Sequence, residues 1–498
     1  MSISQKQKIA VIGSGFAGLS AASYLGKAGF EVDVYEKNER IGGRARQLKT
    51  ENGYTFDMGP SWYWMPDVFE KFFGDFGFQP TDFYELMLLD PGFSIVFGKD
   101  DTLNIPNNEV ELHALFESIE TGSAVKLEQF LAEAAYKYRV GMEKLVYKPG
   151  LSVSEFFDKD IISGVFKLQL FQSFSKHISK YFKHPKLIAL MEFPILFLGA
   201  TAEKTPALYS LMNYAGLKLG TWYPKGGFAS VIDAMKTVAE KQGVNFYLNS
   251  PVQAFKTTGQ HITQLVAANH TKNYDAVIAT ADYHHIENDL LGDDFRNYSE
   301  QYWDKRLLAP SSLIFYLGVT QKITDLAHHT LFFDEDLAQH AEEIYENPQW
   351  PKKPLFYVCC TSKTDTDVAP VGHENLFVLM PLATGLEDTE ELRETYFHMI
   401  MERLEKHTGQ AIRQQLDYKK SYCITDFVND YNAYKGNAYG LANTLLQTAN
   451  LKPSIKNKKL ANLFYAGQLT VPGPGVPPSI ISGKVAATLL INQLNQKV

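Results

Sequence analysis

The chain has 498 residues, which corresponds to about three domains of average size and leaves room for a large hydrophobic core. Hydrophobic residues make up 45% of it and charged residues 21%, so a disordered, collagen-like or coiled-coil chain is excluded. The formal net charge of −8 repels nucleic acid, and no nucleic-acid partner is expected. The cysteines Cys359, Cys360 and Cys423 match neither a disulfide framework nor a metal motif, which indicates a reducing compartment.

Neither an export signal nor a membrane crossing is predicted from the apolar runs. Residues 1–8 are polar and lack the apolar core of a signal peptide. The longest apolar run, residues 187–200, contains Glu192 and Pro194 and is shorter than the ~20 residues that a crossing helix needs. We therefore expect a chain that does not span a membrane.

Strand, helix and glycine patterns divide the chain into three predicted units. Residues 1–105, 221–290 and 455–498 share an alternation of strand, glycine turn and helix, and they are predicted to form one discontinuous cofactor-binding domain. Residues 106–220 are predicted to be an inserted helical subdomain, and residues 291–454 a substrate domain with a mixed sheet. The predicted fold class is α/β, with a Rossmann-like nucleotide-binding fold.

A glycine-rich turn, GSGFAG, lies between a predicted strand at residues 9–12 and a predicted helix at residues 19–28. Glycines there allow a sharp turn, a close approach of backbone to pyrophosphate and tight helix packing, and the helix start offers N–H groups to the anion. The next strand ends at Glu36, whose carboxylate can accept hydrogen bonds from ribose hydroxyls. A glycine turn in an unrelated α/β protein is the alternative. The candidate dinucleotide-binding residues are Gly13, Gly15, Phe16, Ala17, Gly18, Glu36 and Lys37.

Further segments extend this pattern in a fixed order along the chain. They are RIGGR at 40–44, DMGPS at 57–61, WYPKGGF at 222–228, and FYAGQ followed by PGPGVPP within 464–478. Together with the glycine turn, these segments resemble the FAD-dependent amine oxidase superfamily. Within that superfamily they are most similar to the bacterial phytoene desaturases of the carotenoid desaturase family.

The resemblance implies FAD as the cofactor and assigns it further contacts. In the family the arginine and paired glycines hold the diphosphate, the DxGP stretch passes near the isoalloxazine ring, and the carboxy-terminal loop seats the flavin. Gln468 departs from the Asp or Glu of many relatives. For Arg44 a solvated surface charge is the alternative, and for Val252 simple core packing. The added residues are Gly43, Arg44, Gly59, Pro60, Ser61, Val252, Ala281, Gly467, Gln468 and Pro477.

The resemblance also implies a reaction, the conversion of phytoene to lycopene. Hydride passes to flavin N5 and a proton leaves the adjacent carbon, with a quinone or oxygen as the electron acceptor. Glu155 lies near the place where relatives carry an acidic residue and is the candidate catalytic group, with core or surface roles as alternatives. A hydroxycarotenoid 3,4-desaturase, a diapophytoene desaturase or a carotenoid isomerase would show nearly the same motifs. Flavin amine oxidases and non-catalytic isoprenoid carriers are the more distant alternatives.

A basic segment, residues 161–190, contains lysines but no Asp or Glu. Its spacing predicts a helix with one aromatic face, which would lie in a bilayer interface or pack in the subdomain core. Because polyenes dissolve in membranes, the resemblance favours docking of this helix on a membrane. The protein is therefore expected in the cytoplasm, attached to the inner face of the cell membrane. A homo-oligomer on the membrane is left open. The apolar positions at helical spacing are Phe171, Phe174, Ile178 and Tyr181 or Phe182.

Overall fold

The computed structural model describes residues 6–156, 168–268 and 270–496, in which strands and helices alternate along most of the chain. The strands are β1 (Lys8–Ile12), β2 (Glu31–Tyr35), β3 (Gln47–Lys49), β4 (Thr55–Asp57), β5 (Leu86–Leu88), β6 (Phe93–Gly98), β7 (Asp101–Ile105), β8 (Trp222–Pro224), β9 (Asn245–Tyr247), β10 (Val252–Thr258), β11 (His261–Ala267), β12 (His270–Asn273), β13 (Ala276–Ala279), β14 (Ser311–Val319), β15 (His329–Phe332), β16 (Phe356–Cys359), β17 (Glu374–Leu382), β18 (Leu416–Tyr422) and β19 (Leu463–Tyr465). The α-helices of five or more residues are α1 (Phe16–Lys27), α2 (Pro66–Asp75), α3 (Glu109–Ile119), α4 (Ser123–Val140), α5 (Phe174–Tyr181), α6 (Pro185–Glu192), α7 (Leu211–Leu217), α8 (Phe228–Lys241), α9 (Glu300–Asp304), α10 (Leu337–Tyr345), α11 (Glu390–Thr408), α12 (Ile424–Tyr431) and α13 (Val476–Asn495).

A parallel sheet with the strand order β19, β13, β1, β2, β9 forms the nucleotide-binding unit. Helix α1 packs against both α8 and α13, so segments from the start, middle and end of the chain share one core. The Ser20 hydroxyl donates to the Ile480 carbonyl at 2.7 Å, and a Cβ at Gly483 would lie 2.2 Å from the Ala17 carbonyl. This close contact between the first and last helices confirms the predicted Rossmann-like α/β fold.

A second, mixed sheet has the strand order β18, β14, β17, β16, β15, β6, β7. Its strands pair antiparallel except for β15 and β6, which run parallel. The sequence assigned residues 1–105 to the cofactor domain, but β6 and β7 belong to this sheet because Ser94 pairs with Thr330. Local periodicity identifies a strand but not its distant partner. The predicted boundary at residue 105 therefore places two strands of the mixed sheet in the cofactor domain.

The region 106–220 is helical, with α3 to α7 in its described part. The prediction that the apolar residues of the basic segment face a membrane is wrong for three of them, because Phe174, Ile178 and Phe182 are fully buried. The Phe182 ring lies 5.5 Å from that of Phe116, inside the subdomain core, and Phe171 alone of that set is strongly exposed, at 83%. Residues 161–167 of the basic segment lie outside the described residues. Across the described ranges, no helix combines the length and apolar character that a membrane crossing requires.

Candidate active site

One large cavity connects the carboxyl ends of the parallel strands with the helical region and the mixed sheet. Its volume is about 920 Å³, and apolar side chains form most of its lining. This volume is near the upper end of the roughly 300–1,000 Å³ range of small-molecule and cofactor sites. The cavity therefore has space for an extended apolar molecule as well as a nucleotide.

Nearly all of the residues that the sequence assigned to the cofactor line this cavity. Gly18 and Glu155 are not among its lining residues in the described part of the chain. Segments that are far apart in the sequence thus meet at one place, as the dinucleotide pattern requires. The lining residues are Gly13, Gly15, Phe16, Ala17, Glu36, Lys37, Gly43, Arg44, Gly59, Pro60, Ser61, Val252, Ala281, Gly467, Gln468 and Pro477.

The glycine turn has the geometry of a pyrophosphate cradle. Gly13 has a φ of +98°, a conformation that favours glycine, and its N–H donates to the Tyr35 carbonyl at 2.8 Å. A Cβ at Gly15 would have no neighbour closer than 3.9 Å, so the backbone there faces open space. At Gly18 a Cβ would lie 2.0 Å from the Gly13 carbonyl oxygen. Gly18 is thus required for close packing of α1 beneath the turn, whereas Gly15 leaves room for a ligand.

Glu36 at the end of β2 is held in place by its own neighbours. Its Oε2 accepts hydrogen bonds from the Ser14 hydroxyl at 2.6 Å and the Ser14 N–H at 3.1 Å, and its Oε1 accepts one from the Asn38 N–H at 2.9 Å. The Asn38 side-chain amide also donates to Oε1, at 3.0 Å, so four donors match the about four lone-pair sites of a carboxylate. Ribose hydroxyls would take the place of the side-chain donors of Ser14 or Asn38. The preceding strand and the glycine turn therefore fix the acid at the position that a dinucleotide needs.

Arg44 is a half-buried arginine at the cavity wall. Its Nη2 donates to the Asn437 carbonyl at 3.1 Å, and its Nε has no hydrogen-bond partner among the described residues. Burial lowers the pKa of Arg44, and the nearby carboxylate of Asp282 opposes that shift. The carboxamide of Gln468 lies 3.0 Å from Arg44 Nη2, so the residue that departs from the family pattern contacts the predicted diphosphate arginine.

A segment around Tyr431 covers Arg44, and no motif in the sequence predicts it there. The ring of Tyr431, at the end of α12, lies 5.0 Å from the Arg44 guanidinium, and Lys37 Nζ donates to Asn432 Oδ1 at 2.9 Å. Asp430 binds Arg46 by an ion pair. These residues lie in the stretch that the sequence assigned to the substrate domain, and no motif in that stretch indicates a cofactor contact.

The carboxy-terminal loop closes the cavity at the start of α13. Gly475 precedes the helix with a φ of +111°, and Pro477 lies in the first helical turn. The helix begins at Val476, within the proline-rich segment itself. Since proline lacks an N–H, the helix contributes its dipole and a small number of donors to this end of the cavity.

Glu155, the predicted catalytic residue, caps the turn that precedes it. Its carboxylate accepts hydrogen bonds from the backbone N–H groups of Gly150, Leu151 and Ser152, at 2.9, 2.9 and 3.1 Å. Three donors from its own turn bind the carboxylate, and Glu155 is not among the described residues that line the cavity. The short spacing between an acid and the preceding turn is typical of such a cap, and the catalytic assignment stays a prediction.

The remaining cavity walls are apolar and come from two units. The helical region contributes residues between Gly141 and Val146 and between Leu208 and Met212. The mixed sheet contributes Leu331, Tyr357 and Leu379, which are adjacent across three strands. Few polar groups interrupt this part of the lining, so it is suited to a hydrocarbon substrate.

The residues present fit FAD. The open space above Gly15, the acid at Glu36 and the unpaired, buried Nε of Arg44 provide places for pyrophosphate and ribose in one cavity. A Cβ at Gly467 would have the Thr280 carbonyl, 3.8 Å away, as its nearest neighbour, so the strand end beside it also faces open space.

Comparisons with known proteins agree with this site. Residues 16–491 match the family described as flavin containing amine oxidoreductase. The chain is 39% identical to a carotenoid 3,4-desaturase of Haloarcula japonica, over 98% of this chain and 99% of that protein. It is 28% identical to a zeta-carotene-forming phytoene desaturase of Myxococcus xanthus, over 98% and 94%. The fold is similar to the crystal structure of an oxidoreductase from Methanosarcina mazei, with a TM-score of 0.64 at 16% identity, covering 97% and 99% of the two chains.

Proposed function

Because the chain belongs to the flavin containing amine oxidoreductase family, as an FAD-dependent carotenoid desaturase within it, we propose that it introduces the 3,4 double bond of a carotenoid. The observation that carries the proposal is the single cavity shared by the dinucleotide residues and an apolar wall. The relative at 39% identity, named for 3,4-desaturation, supports this bond over others. A hydrocarbon chain offers no hydrogen-bonding handle, so shape and apolar contact must position it.

The division of chemical tasks follows from this arrangement. FAD, when bound, would accept the hydride, which carries both electrons away from the dehydrogenated bond. The glycine turn, Glu36 and Arg44 bind and orient the nucleotide. The apolar walls exclude water and align one carbon–carbon bond, and such positioning contributes several kcal/mol to a rate. The electrons pass on to a quinone or to oxygen.

The conversion of phytoene to lycopene, expected from the sequence motifs, is the second candidate. The zeta-carotene-forming phytoene desaturase of Myxococcus xanthus supports phytoene as the substrate, because its similarity extends over nearly the whole chain, although its name gives a product other than lycopene. The two candidates differ in substrate. A 3,4-desaturase receives a carotenoid that is already conjugated, whereas phytoene has a short chromophore that lengthens with each step.

Product analysis with the purified holoenzyme separates the candidates. Liposomes containing phytoene, lycopene or a hydroxylated acyclic carotenoid are incubated with the enzyme, each with oxygen or with a quinone. We expect a conjugated carotenoid to gain one double bond at carbons 3 and 4 while phytoene is unchanged. Lycopene formed from phytoene would favour the second candidate, and reduction of the bound flavin by amines alone would overturn both.

We also propose that the cavity opens toward a lipid bilayer. Phe171 and Leu445 line the cavity and are exposed to solvent, which places its opening between them. A Cβ at Gly150 would lie 3.4 Å from the Ala449 carbonyl, so the loop before Leu151 is next to the same opening. Exposed apolar side chains grouped there suit a hydrocarbon interior. The group, here called the opening patch, consists of Leu151, Phe171, Leu445, Leu446 and Leu451.

Liposome sedimentation tests the opening patch. The double variant Phe171→Ser and Leu446→Ser removes its two most exposed members, at 83% and 75% exposure, and is expected to lower the bound fraction at least severalfold. Val371→Ser is the matched control, since Val371 is fully exposed and does not line the cavity. Equal binding of the double variant and the control would contradict this docking surface.

A further inference from the structure

A hydrogen-bonded chain leads from the cavity wall into the interior beneath it. Tyr357 is paired with Leu331 and Leu379 on the neighbouring strands, and all three residues line the cavity. The Tyr357 hydroxyl donates to Ser61 Oγ at 3.0 Å, and His329 Nδ1 lies 2.6 Å from Tyr357 Oη. A hydroxyl group on an apolar wall is a position at which a proton can leave an apolar substrate.

A second, small cavity extends the chain beyond Ser61. Its volume is about 10 Å³, close to the roughly 10–15 Å³ that a single water molecule needs. Ser61 lines both cavities, and Asp57 and Asn375 line the small one. Asp57 Oδ1 has no hydrogen-bond partner among the described residues, while Oδ2 accepts the Phe228 N–H at 2.9 Å. Water in this cavity therefore has Ser61 and the free oxygen of Asp57 as partners.

His329 sets the direction in which the groups of this hydrogen-bonded path donate. Burial, followed by the neighbouring His328, holds the pKa of His329 well below its usual range, so the ring is neutral. With the ring proton on Nδ1, His329 donates to Tyr357 Oη and the Tyr357 proton points to Ser61. Trp62 stacks on this imidazole with ring centroids 4.1 Å apart and fixes its plane. Each donor then faces the next acceptor along the path to Asp57.

We propose that Tyr357, Ser61 and one water molecule pass the proton that the substrate loses to Asp57. This rests on the proposed function. The C–H bond breaks and its electron pair becomes the second bond of the new C=C, while the proton goes to Tyr357 Oη. The Tyr357 proton moves to Ser61 Oγ, that of Ser61 to the water, and one from the water to Asp57 Oδ1. Hydride loss from the adjacent carbon leaves a cationic centre, so a weakly basic oxygen suffices for this step.

The surroundings of Asp57 suit a proton acceptor. Burial raises the pKa of Asp57 to about 7, against the backbone N–H groups that lower it. The titratable groups that face it are Asp365, Tyr223 and Cys359. Burial raises the pKa of Cys359 to about 12 and that of Tyr223 above its usual range, so both stay protonated. Of Asp57, Tyr223 and Cys359, Asp57 is therefore the group that exchanges a proton near neutral pH.

Asp57 also anchors α8 through Phe228, so the variants must separate this structural role from proton transfer. Asp57→Asn keeps an oxygen for the Phe228 N–H and removes the titratable group. Ser61→Ala breaks the chain at its middle, and Ser61→Thr restores a hydroxyl as the matched control. Tyr357→Phe removes the group that faces the substrate while it keeps the ring.

Infrared spectroscopy of the holoenzyme tests the hydrogen-bonded path from Tyr357 to Asp57 without turnover. We expect protonated-carboxyl absorption that titrates near pH 7, to which Asp57 and Glu287 both contribute. The Asp57 band is the part of this absorption that is absent in Asp57→Asn. Ser61→Ala is expected to shift the frequency or the midpoint of that band, because it removes the hydroxyl partner of the water, whereas Ser61→Thr leaves both in place. A band unchanged in Ser61→Ala would overturn the chain, whether or not the enzyme converts a carotenoid.

The pH profile of flavin reduction by the carotenoid tests the role in the reaction. In the wild type the rate is expected to fall as the pH drops below about 7, since Asp57 is then already protonated. Asp57→Asn, Ser61→Ala and Tyr357→Phe are expected to be at least tenfold slower, and Asp57→Asn should lose this dependence. A slowed Asp57→Asn variant with the wild-type profile would reduce Asp57 to a structural residue. If no carotenoid reduces the wild-type flavin, the proposed function fails. The infrared result then shows by itself whether the hydrogen-bonded path from Tyr357 to Asp57 exists.

Discussion

The guanidinium of Arg44 lies 5.0 Å from the ring of Tyr431, although the two residues come from opposite ends of the sequence. Tyr431 ends α12, and the neighbouring Asn432 accepts a hydrogen bond from Lys37. A helix outside the parallel sheet therefore covers the arginine that the family motif assigns to the FAD diphosphate. The cofactor site is consequently completed by the other unit of the molecule.

Arg44→Lys is expected to weaken FAD binding about tenfold, the equivalent of about 1.4 kcal/mol. Lysine keeps the charge but loses the planar fork that donates two hydrogen bonds to a diphosphate and stacks on Tyr431. Titration of the apoprotein with FAD, followed by flavin fluorescence, measures the change. Arg40→Lys is the control, because the Arg40 side chain is more than half exposed. Equal dissociation constants for wild type and Arg44→Lys would contradict the assignment.

The sequence predicts the local parts of this site well. Gly13, Gly15 and Glu36 could be identified because a glycine turn between a strand and a helix has a fixed spacing, which one short segment contains. Tyr431 and Tyr357 could not, since their places depend on strand and helix packing between distant segments. The same reason explains why residues 93–105 were assigned to the cofactor domain, although β6 and β7 belong to the mixed sheet.

The aromatic run at residues 171–182 shows a second limit of sequence patterns. Its period correctly predicts an amphipathic helix, but the period is the same for a helix that faces lipid and one that faces a protein core. Phe174 and Phe182 are buried against other helices, and the exposed Phe171 lies outside α5. Burial partners, which only the fold provides, decide between the two interpretations.

Met212→Trp is expected to lower kcat/KM for the carotenoid at least tenfold while FAD binding stays unchanged. Met212 lines the apolar part of the cavity, on the helical wall, so a larger side chain there competes with the substrate. The measurement is steady-state product formation together with the FAD dissociation constant. Met399→Trp, at a half-buried position in α11 that does not line the cavity, is the control. Equal loss of activity in both variants would indicate a general effect on folding.

Gly18→Ala is expected to destabilise the protein by about 2 kcal/mol or more, since overpacking of a tight contact typically costs 1–3 kcal/mol. The added Cβ would lie 2.0 Å from the Gly13 carbonyl oxygen, so the backbone of the turn must move. Gly74→Ala is the opposite control, because no atom lies within 4 Å of its added Cβ and the position is helical. That variant is expected to gain about 0.5–1 kcal/mol from helix propensity. Urea unfolding of both proteins measures the difference.

The raised pKa of Glu287 predicts how the free energy of unfolding depends on pH. Burial raises its pKa to about 7, although hydrogen bonds from Asn297, Tyr465 and Tyr298 favour the charged form. A carboxyl with a raised folded-state pKa contributes stability that is fully present below its unfolded pKa and is lost as the pH rises through about 7. The wild type should therefore lose on the order of 2–3 kcal/mol from this group between pH 4.5 and 7.5, since each pKa unit corresponds to about 1.4 kcal/mol.

In Glu287→Gln this pH-dependent contribution should disappear, because the amide does not titrate. Urea unfolding of wild type and variant at several pH values gives the difference in unfolding free energy, which should change steadily between pH 4.5 and 7.5. Glu111→Gln, an exposed position on α3, should run parallel to the wild type throughout this range. A constant difference between Glu287→Gln and the wild type would contradict the raised pKa. It would mean that Glu287 keeps the ordinary pKa of a glutamate despite its burial, because the three hydrogen-bond donors stabilise the charged form.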